Sequence, residues 1–147
     1  MESTPYNKNN SLISKEQVKN ILKHNGINDV NINNINLFQK SFVHESYRKL
    51  KCYDKMENVN SYLELQEESY ERLEFIGDAI IDSIIANYLY DRYHILYNQD
   101  EGFLTKLKTR IVCGKHLSYL SGLLDFDKYI IISNSIEEKH NGRKNMK

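Results

Sequence analysis

Apolar positions in this chain recur at helical rather than alternating spacing. Ser14 stands as an N-cap, and Gln17 lies three residues on, the spacing of a capping box. Val18, Ile21 and Leu22 follow on one face, and Gly26 supplies a stop. An Asn-rich linker over 28–36 leads to a second short helix around Leu37 to Phe42. Residues 48–69 are charged and Tyr-containing, and read as a loop or an exposed helix. The strongest helical pattern runs from about Glu68 to Tyr93, free of Pro and with Gly77 as its one glycine. Asn98-Gln99-Asp100 breaks it, and Asp100 caps a helix expected over Glu101 to Val112. Gly114 permits a bend into another helix ending near Leu123. Residues 125–133 read as a strand or a buried turn of helix, and 137–147 are highly charged. Residues 1–13 are polar and read as a flexible tail. The expected class is all-α.

The long helix carries four acids on one stripe. With Glu71 at 0°, Glu74, Asp78 and Asp82 fall at about 300°, 340° and 20°. Leu73, Phe75, Ile76, Ile80, Ile81, Ile84, Ile85 and Leu89 cover most of the remaining circumference. A helix that is apolar all round is expected to be buried, and like charges one turn apart oppose each other. Three explanations fit. The acids pair with cations from another helix, or they emerge into water, or they hold a hard divalent cation, which takes oxygen ligands. Gly77 beside Asp78 suggests close approach of another backbone.

Composition narrows the function classes. Twenty basic residues balance twenty acidic ones over 147 residues, which excludes a simple polycationic nucleic-acid binder. No apolar run approaches the length of a membrane span, and Met1 to Asn10 has no secretory apolar segment. Two cysteines, Cys52 and Cys113, form no disulfide scaffold and suit a reducing, cytoplasmic setting. Lys106, Lys108 and Arg110 lie within one helix, either as a solvated face or as phosphate contacts. His44-Glu45 has no second His at metal-ligand spacing.

The run Glu71-Arg72-Leu73-Glu74-Phe75-Ile76-Gly77-Asp78-Ala79 closely resembles the signature of the ribonuclease III family of double-strand-specific endoribonucleases. Ser41-Phe42-Val43-His44-Glu45-Ser46-Tyr47 resembles the family's upstream segment. Asp100-Glu101-Gly102-Phe103-Leu104-Thr105-Lys106-Leu107 resembles its downstream helix start, and residues 115–130 its next helix and turn. The resemblance implies an all-α endonuclease domain over 14–147, a helical bundle that dimerises. It implies Mg²⁺-assisted hydrolysis of RNA duplexes, with Mn²⁺ as an alternative ion, by a homodimer whose two sites cut opposite strands. By resemblance the catalytic acids are Glu71, Glu74, Asp78 and Glu101. Of these, Glu74 and Asp78 are metal ligands, while Glu71 and Glu101 lie near the cleavage valley. Asp82 matches no catalytic position of the family. Lys106, Lys108 and Arg110 are the candidate RNA contacts.

Three departures bear on that reading. The family's later Asp-x-x-Glu pair does not occur after the signature, so the domain is expected to end before its last helices. The segment between Tyr47 and Glu71 is longer than in compact bacterial members. No double-stranded-RNA-binding domain is expected within these residues. Two functions follow: an endoribonuclease of double-stranded RNA, or a non-catalytic module of the same fold that dimerises or docks RNA.

Overall fold

The Ser14 hydroxyl accepts from the Gln17 backbone N–H, and the Gln17 side chain reaches back to the Ser14 N–H at 2.8 Å. This reciprocal cap starts helix α1, Lys15–His24. Gly26 then takes φ +82°, the left-handed conformation that ends a helix without a Cβ clash. The computed structural model describes residues 4–140, 142 and 143. Among them the other α-helices are α2 (Ile35–Lys40), α3 (Glu71–Leu89), α4 (Glu101–Ile111), α5 (Gly114–Leu123) and α6 (Asn134–His140). No strand occurs among the described residues. The extended pairing seen is two isolated bridges, Val43 with Ile131 and Arg48 with Gln66. The all-α expectation holds.

The chain divides into two units. The first joins the described residues up to Glu71 with those from Leu124 onward. Its core has two apolar groups. Val43, Tyr47, Leu65 and Ile131 form one; Ile13, Val18 and Ile32 form the other, flanked by Phe42 and Tyr129. The Val43–Ile131 bridge runs through the first group, with His44 N–H donating to the Ile131 carbonyl at 2.9 Å. Residues 125–133 are therefore not a strand, and the expected turn of helix covers only their first half. They form a 3₁₀ turn over Phe126–Tyr129 and then an extended segment whose Ile131 is fully buried.

Residues 4–13 do not behave as the loose tail their polarity suggested; residues 1–3 lie outside the described residues. Asn7, Asn10 and Ile13 are buried. The Asn7 and Asn10 amides both donate to the Ile132 carbonyl, at 3.1 and 2.9 Å. Arg143 completes the clasp. Its guanidinium donates to both Glu137 carboxylate oxygens, to the Asp127 and Ile130 carbonyls, and to Asn10 Oδ1. Short polar side chains here serve as substitutes for the backbone partners that an extended segment lacks.

Burial pushes the Glu137 carboxyl up, but hydrogen bonds from Asn7 and Arg143 outweigh it and hold it below the ordinary 4.5. A carboxylate with a lowered folded pKa contributes stability that is complete above its unfolded value. That contribution drains away as pH falls below about 4.5. Urea midpoints measured across this range should therefore fall less steeply in Glu137→Gln than in the unaltered protein, starting from a lower value at neutral pH.

Residues 48–69 form a loop with one 3₁₀ turn at Lys51–Tyr53, rather than a helix. The loop is pinned at both ends. Lys49 N–H donates to the Gln66 carbonyl at 2.9 Å, and the Tyr47 hydroxyl donates to the Leu63 carbonyl at 2.6 Å.

The second unit spans Arg72–Leu123. Its long helix is α-helical to Leu89 and then widens into a π-helical turn, Tyr90–Ile95, where the sequence pattern predicted a plain helix to Tyr93. Asn98 at φ +50° ends this run, and Asp100 Oδ1 accepts from Phe103 N–H at 2.8 Å to start α4. The expected cap and the expected bounds of α4 agree with the structure to within one residue. The expected burial of α3 does not. Leu89 is its one buried residue, and Phe75, Ile76, Ile80, Ile81 and Ile84 are exposed. The physical reason is size: a unit this small has too little apolar surface of its own to wrap a helix of five turns. Nor does any atom outside the local helix lie within 4 Å of the space a Cβ at Gly77 would fill, so Gly77 is not a site of close approach among the described residues.

Candidate active site

The acid stripe is laid out by the regularity of α3. With no break before Leu89, Glu74, Asp78 and Asp82 stand at successive i, i+4 steps on one face. All three carboxylates reach solvent. Asp82 is paired: Lys108 Nζ of α4 lies 3.1 Å from Asp82 Oδ2. Glu74 and Asp78 have no hydrogen bond or ion pair among the described residues. The three explanations for the stripe thus divide among its members. One acid is neutralised by a cation, and two are hydrated carboxylates about 6 Å apart along the axis.

Glu71 opens α3 and belongs to a different set of contacts in the first unit. The Ser69 hydroxyl lies 3.2 Å from Glu71 Oε2, and Ser69 itself is buried. Tyr70 N–H donates to the Val43 carbonyl at 2.8 Å, which anchors the entry to the helix. Nearby, Arg48 Nη1 donates to both oxygens of Glu45, at 2.9 and 3.0 Å. That bond with Arg48 is the main reason the Glu45 carboxyl sits below its usual 4.5; Ser69 and Glu71 act in the same direction. Sequence reasoning did not single out Arg48 or Ser69. The signal available was the closeness of Ser69 to the acid run. His44 is structural here: its Nδ1 accepts from the Ser46 N–H at 3.1 Å.

Glu101 begins α4, and the Thr105 hydroxyl one turn on donates to Glu101 Oε1 at 2.7 Å. A carboxylate there also suits the positive end of the helix. Of the candidate RNA contacts, Lys106 and Arg110 are exposed and have no carboxylate partner among the described residues. Lys108 differs because it is held by Asp82. Both ends of that pair are partly exposed, so it is weak, about 0–1 kcal/mol.

The described residues contain no group of three or more His, Cys, Asp or Glu side chains able to hold a metal ion. Two neighbouring carboxylates still fit a hard divalent ion of the Mg²⁺ type. Such an ion commonly takes one or two protein carboxylates and completes its shell with water and substrate phosphate. No helix among the described residues is long and apolar enough to cross a membrane.

The helical architecture is that of a nuclease domain. The chain resembles two solved structures of the nuclease domain of ribonuclease III from Campylobacter jejuni. One matches at 25% identity and a TM-score of 0.62, covering 87% of this chain and 73% of that one. The other matches at 24% identity and a TM-score of 0.63, covering 90% and 71%. The first of these is described as flexible in a region involved in dimer formation. The chain belongs to the ribonuclease III family: the Ribonuclease-III-like family model matches residues 34–147. A probable ribonuclease 3 of Acanthamoeba polyphaga mimivirus is 35% identical over 144 residues, 96% of this chain and 26% of that protein. Ribonuclease 3 of Latilactobacillus sakei is 37% identical over 114 residues, 78% of this chain and 43% of that protein. The chain therefore spans less than half the length of these relatives.

Proposed function

We propose that the protein is an endoribonuclease that hydrolyses phosphodiester bonds of double-stranded RNA with Mg²⁺, or Mn²⁺ in its place, and acts as a homodimer in the cytoplasm. The observation that carries this reading is the unpaired Glu74–Asp78 pair on the signature helix of a ribonuclease III family chain. Unpaired like charges one turn apart weaken a helix slightly, so their retention calls for a ligand that benefits from them.

Glu74 and Asp78 would hold the cation. The bound ion supplies charge stabilisation at the scissile phosphate and a more acidic water. Lys106 and Arg110 offer free cations for backbone phosphates. Lys108 joins them only by leaving Asp82. Glu101, held by Thr105, and Glu71, held by Ser69, serve as auxiliary catalytic residues.

The homodimer reading rests on the apolar side chains left uncovered on α3, led by Phe75 at 81% exposure. A patch of this kind on a soluble domain marks an interaction surface. The cytoplasmic setting rests on Cys52 and Cys113, both free and exposed.

The test is cleavage of a labelled RNA duplex by the protein as its source makes it. Cutting should require Mg²⁺, stop on EDTA addition and return when Mg²⁺ is restored. Metal-independent cutting, or duplex binding with no cutting under any divalent ion, would reject the reading. The second of those results favours the non-catalytic module. One observation already speaks for that alternative: within the described residues the acidic ligand set stops at a pair.

A further inference from the structure

Helix α1 carries a cationic stripe that the nuclease reading does not use. Lys15, Lys19 and Lys23 recur at i, i+4 and i+8, so they line one side of the helix at steps of about 6 Å. All three are exposed. Among the described residues none has a carboxylate within ion-pair distance, although Glu16 and Asp29 are close in sequence. In this they differ from the paired cations. Lys40, Arg48, Lys49, Lys108, Lys128 and Arg143 are all matched to carboxylates. With acids and bases equal in number, part of the positive charge is spent internally, and α1 keeps an evenly spaced run of it.

The helix is also built to hold that run still. Its capping box fixes the first turn, and Val18 packs into the Ile13–Ile32 core on the neighbouring face. Beyond Lys23 a shallow groove continues the stripe, lined by Lys19, Lys23, Ile27, Asn28, Asp29 and Val30. The Asn28 amide adds a donor there, and Asp29 is the single opposing charge.

We propose that this face of α1 is a sequence-independent docking surface for the phosphate backbone of duplex RNA, contacting successive phosphates through Lys15, Lys19 and Lys23. The ligand's identity rests on the nuclease reading; the surface itself rests on its unpaired, evenly spaced charge. Phosphate contacts set register and affinity without reading sequence. In a chain of zero net charge they must come from such a local array.

The experiment is binding of the 147-residue chain to a blunt RNA duplex about two helical turns long, in EDTA, across a salt series. Each phosphate contact contributes about 0.9 to the slope of log affinity against log salt. The triple variant Lys15→Gln, Lys19→Gln, Lys23→Gln should bind about tenfold or more weakly at 0.1 M salt, with the slope reduced by about 2–3. Asp29→Asn should bind more tightly. A control with the same charge change, Lys8→Gln, Lys51→Gln, Lys55→Gln, should shift the slope far less. Glutamine is a good helix former and these sites are exposed, so circular dichroism should show α1 intact.

The proposal is overturned if the chain does not bind the duplex, if the α1 triple variant matches the control, or if the same lysines instead govern binding to anionic lipid vesicles. Lysine-dependent binding without cleavage by the natural protein would uphold this surface while rejecting the nuclease reading, so the two failures are separable.

Discussion

Glu74→Gln and Asp78→Asn should each lower single-turnover cleavage of an RNA duplex by about 10³-fold or more, roughly 4 kcal/mol of transition-state stabilisation. The fold should be indifferent. Both side chains are exposed and bond to nothing among the described residues, so thermal stability should change by no more than about 0.5 kcal/mol. That combination separates a ligand from a structural acid. Asp82→Asn is the internal comparison: it releases Lys108, costs little stability, and should leave cleavage within a few-fold. If Glu74→Gln and Asp78→Asn cut normally, the metal site is elsewhere.

Phe75→Ala should weaken self-association by about 2–4 kcal/mol, roughly 30- to 700-fold in Kd. Phe75 follows Glu74 directly and is the most exposed large apolar residue on α3. An aromatic ring held in water on a rigid helix has the character of an interface anchor. Sedimentation equilibrium of the two proteins side by side measures the shift. In the unaltered protein a dimer should dominate at micromolar concentration. A monomer throughout, or a Phe75→Ala dimer of equal strength, would remove α3 as the self-association surface.

The parts of this fold that could be read from sequence are those governed by local chemistry. The Ser14–Gln17 box and the Asp100 cap are decided within four residues, and both stand where the sequence placed them. The acid stripe was likewise legible, because helical periodicity alone sets its angles. What could not be read was what lies against each face. The apolar girth of α3 suggested burial, yet burial depends on neighbours that periodicity does not supply. Asn7 and Asn10 looked like solvent-loving tail residues. Their amides are instead donors to Ile132, more than a hundred residues away, a partnership with no local trace. The π-helical turn at Tyr90–Ile95 also escaped notice: it is six residues long, too short for an i→i+5 repeat to stand out from an α-helical one. Among the candidate site residues, Glu74 and Asp78 stood out by type and spacing, and Glu101 by the family resemblance of the segment it opens. The serine and threonine that steady Glu71 and Glu101 did not, since single hydroxyls carry too little pattern.

The clasp around Arg143 has a consequence for the order in which the protein can be made. Asn7 and Asn10 find their partners at separations of 122 to 133 residues. A chain leaving the ribosome therefore carries its first unit incomplete until the residues around Arg143 have emerged, and closing so large a loop is slow. Arg72–Leu123 has no such wait, since its contacts are near in sequence. During synthesis the inserted helices can be in place while the segments on either side of them are still unjoined, and the core around Ile131 closes last.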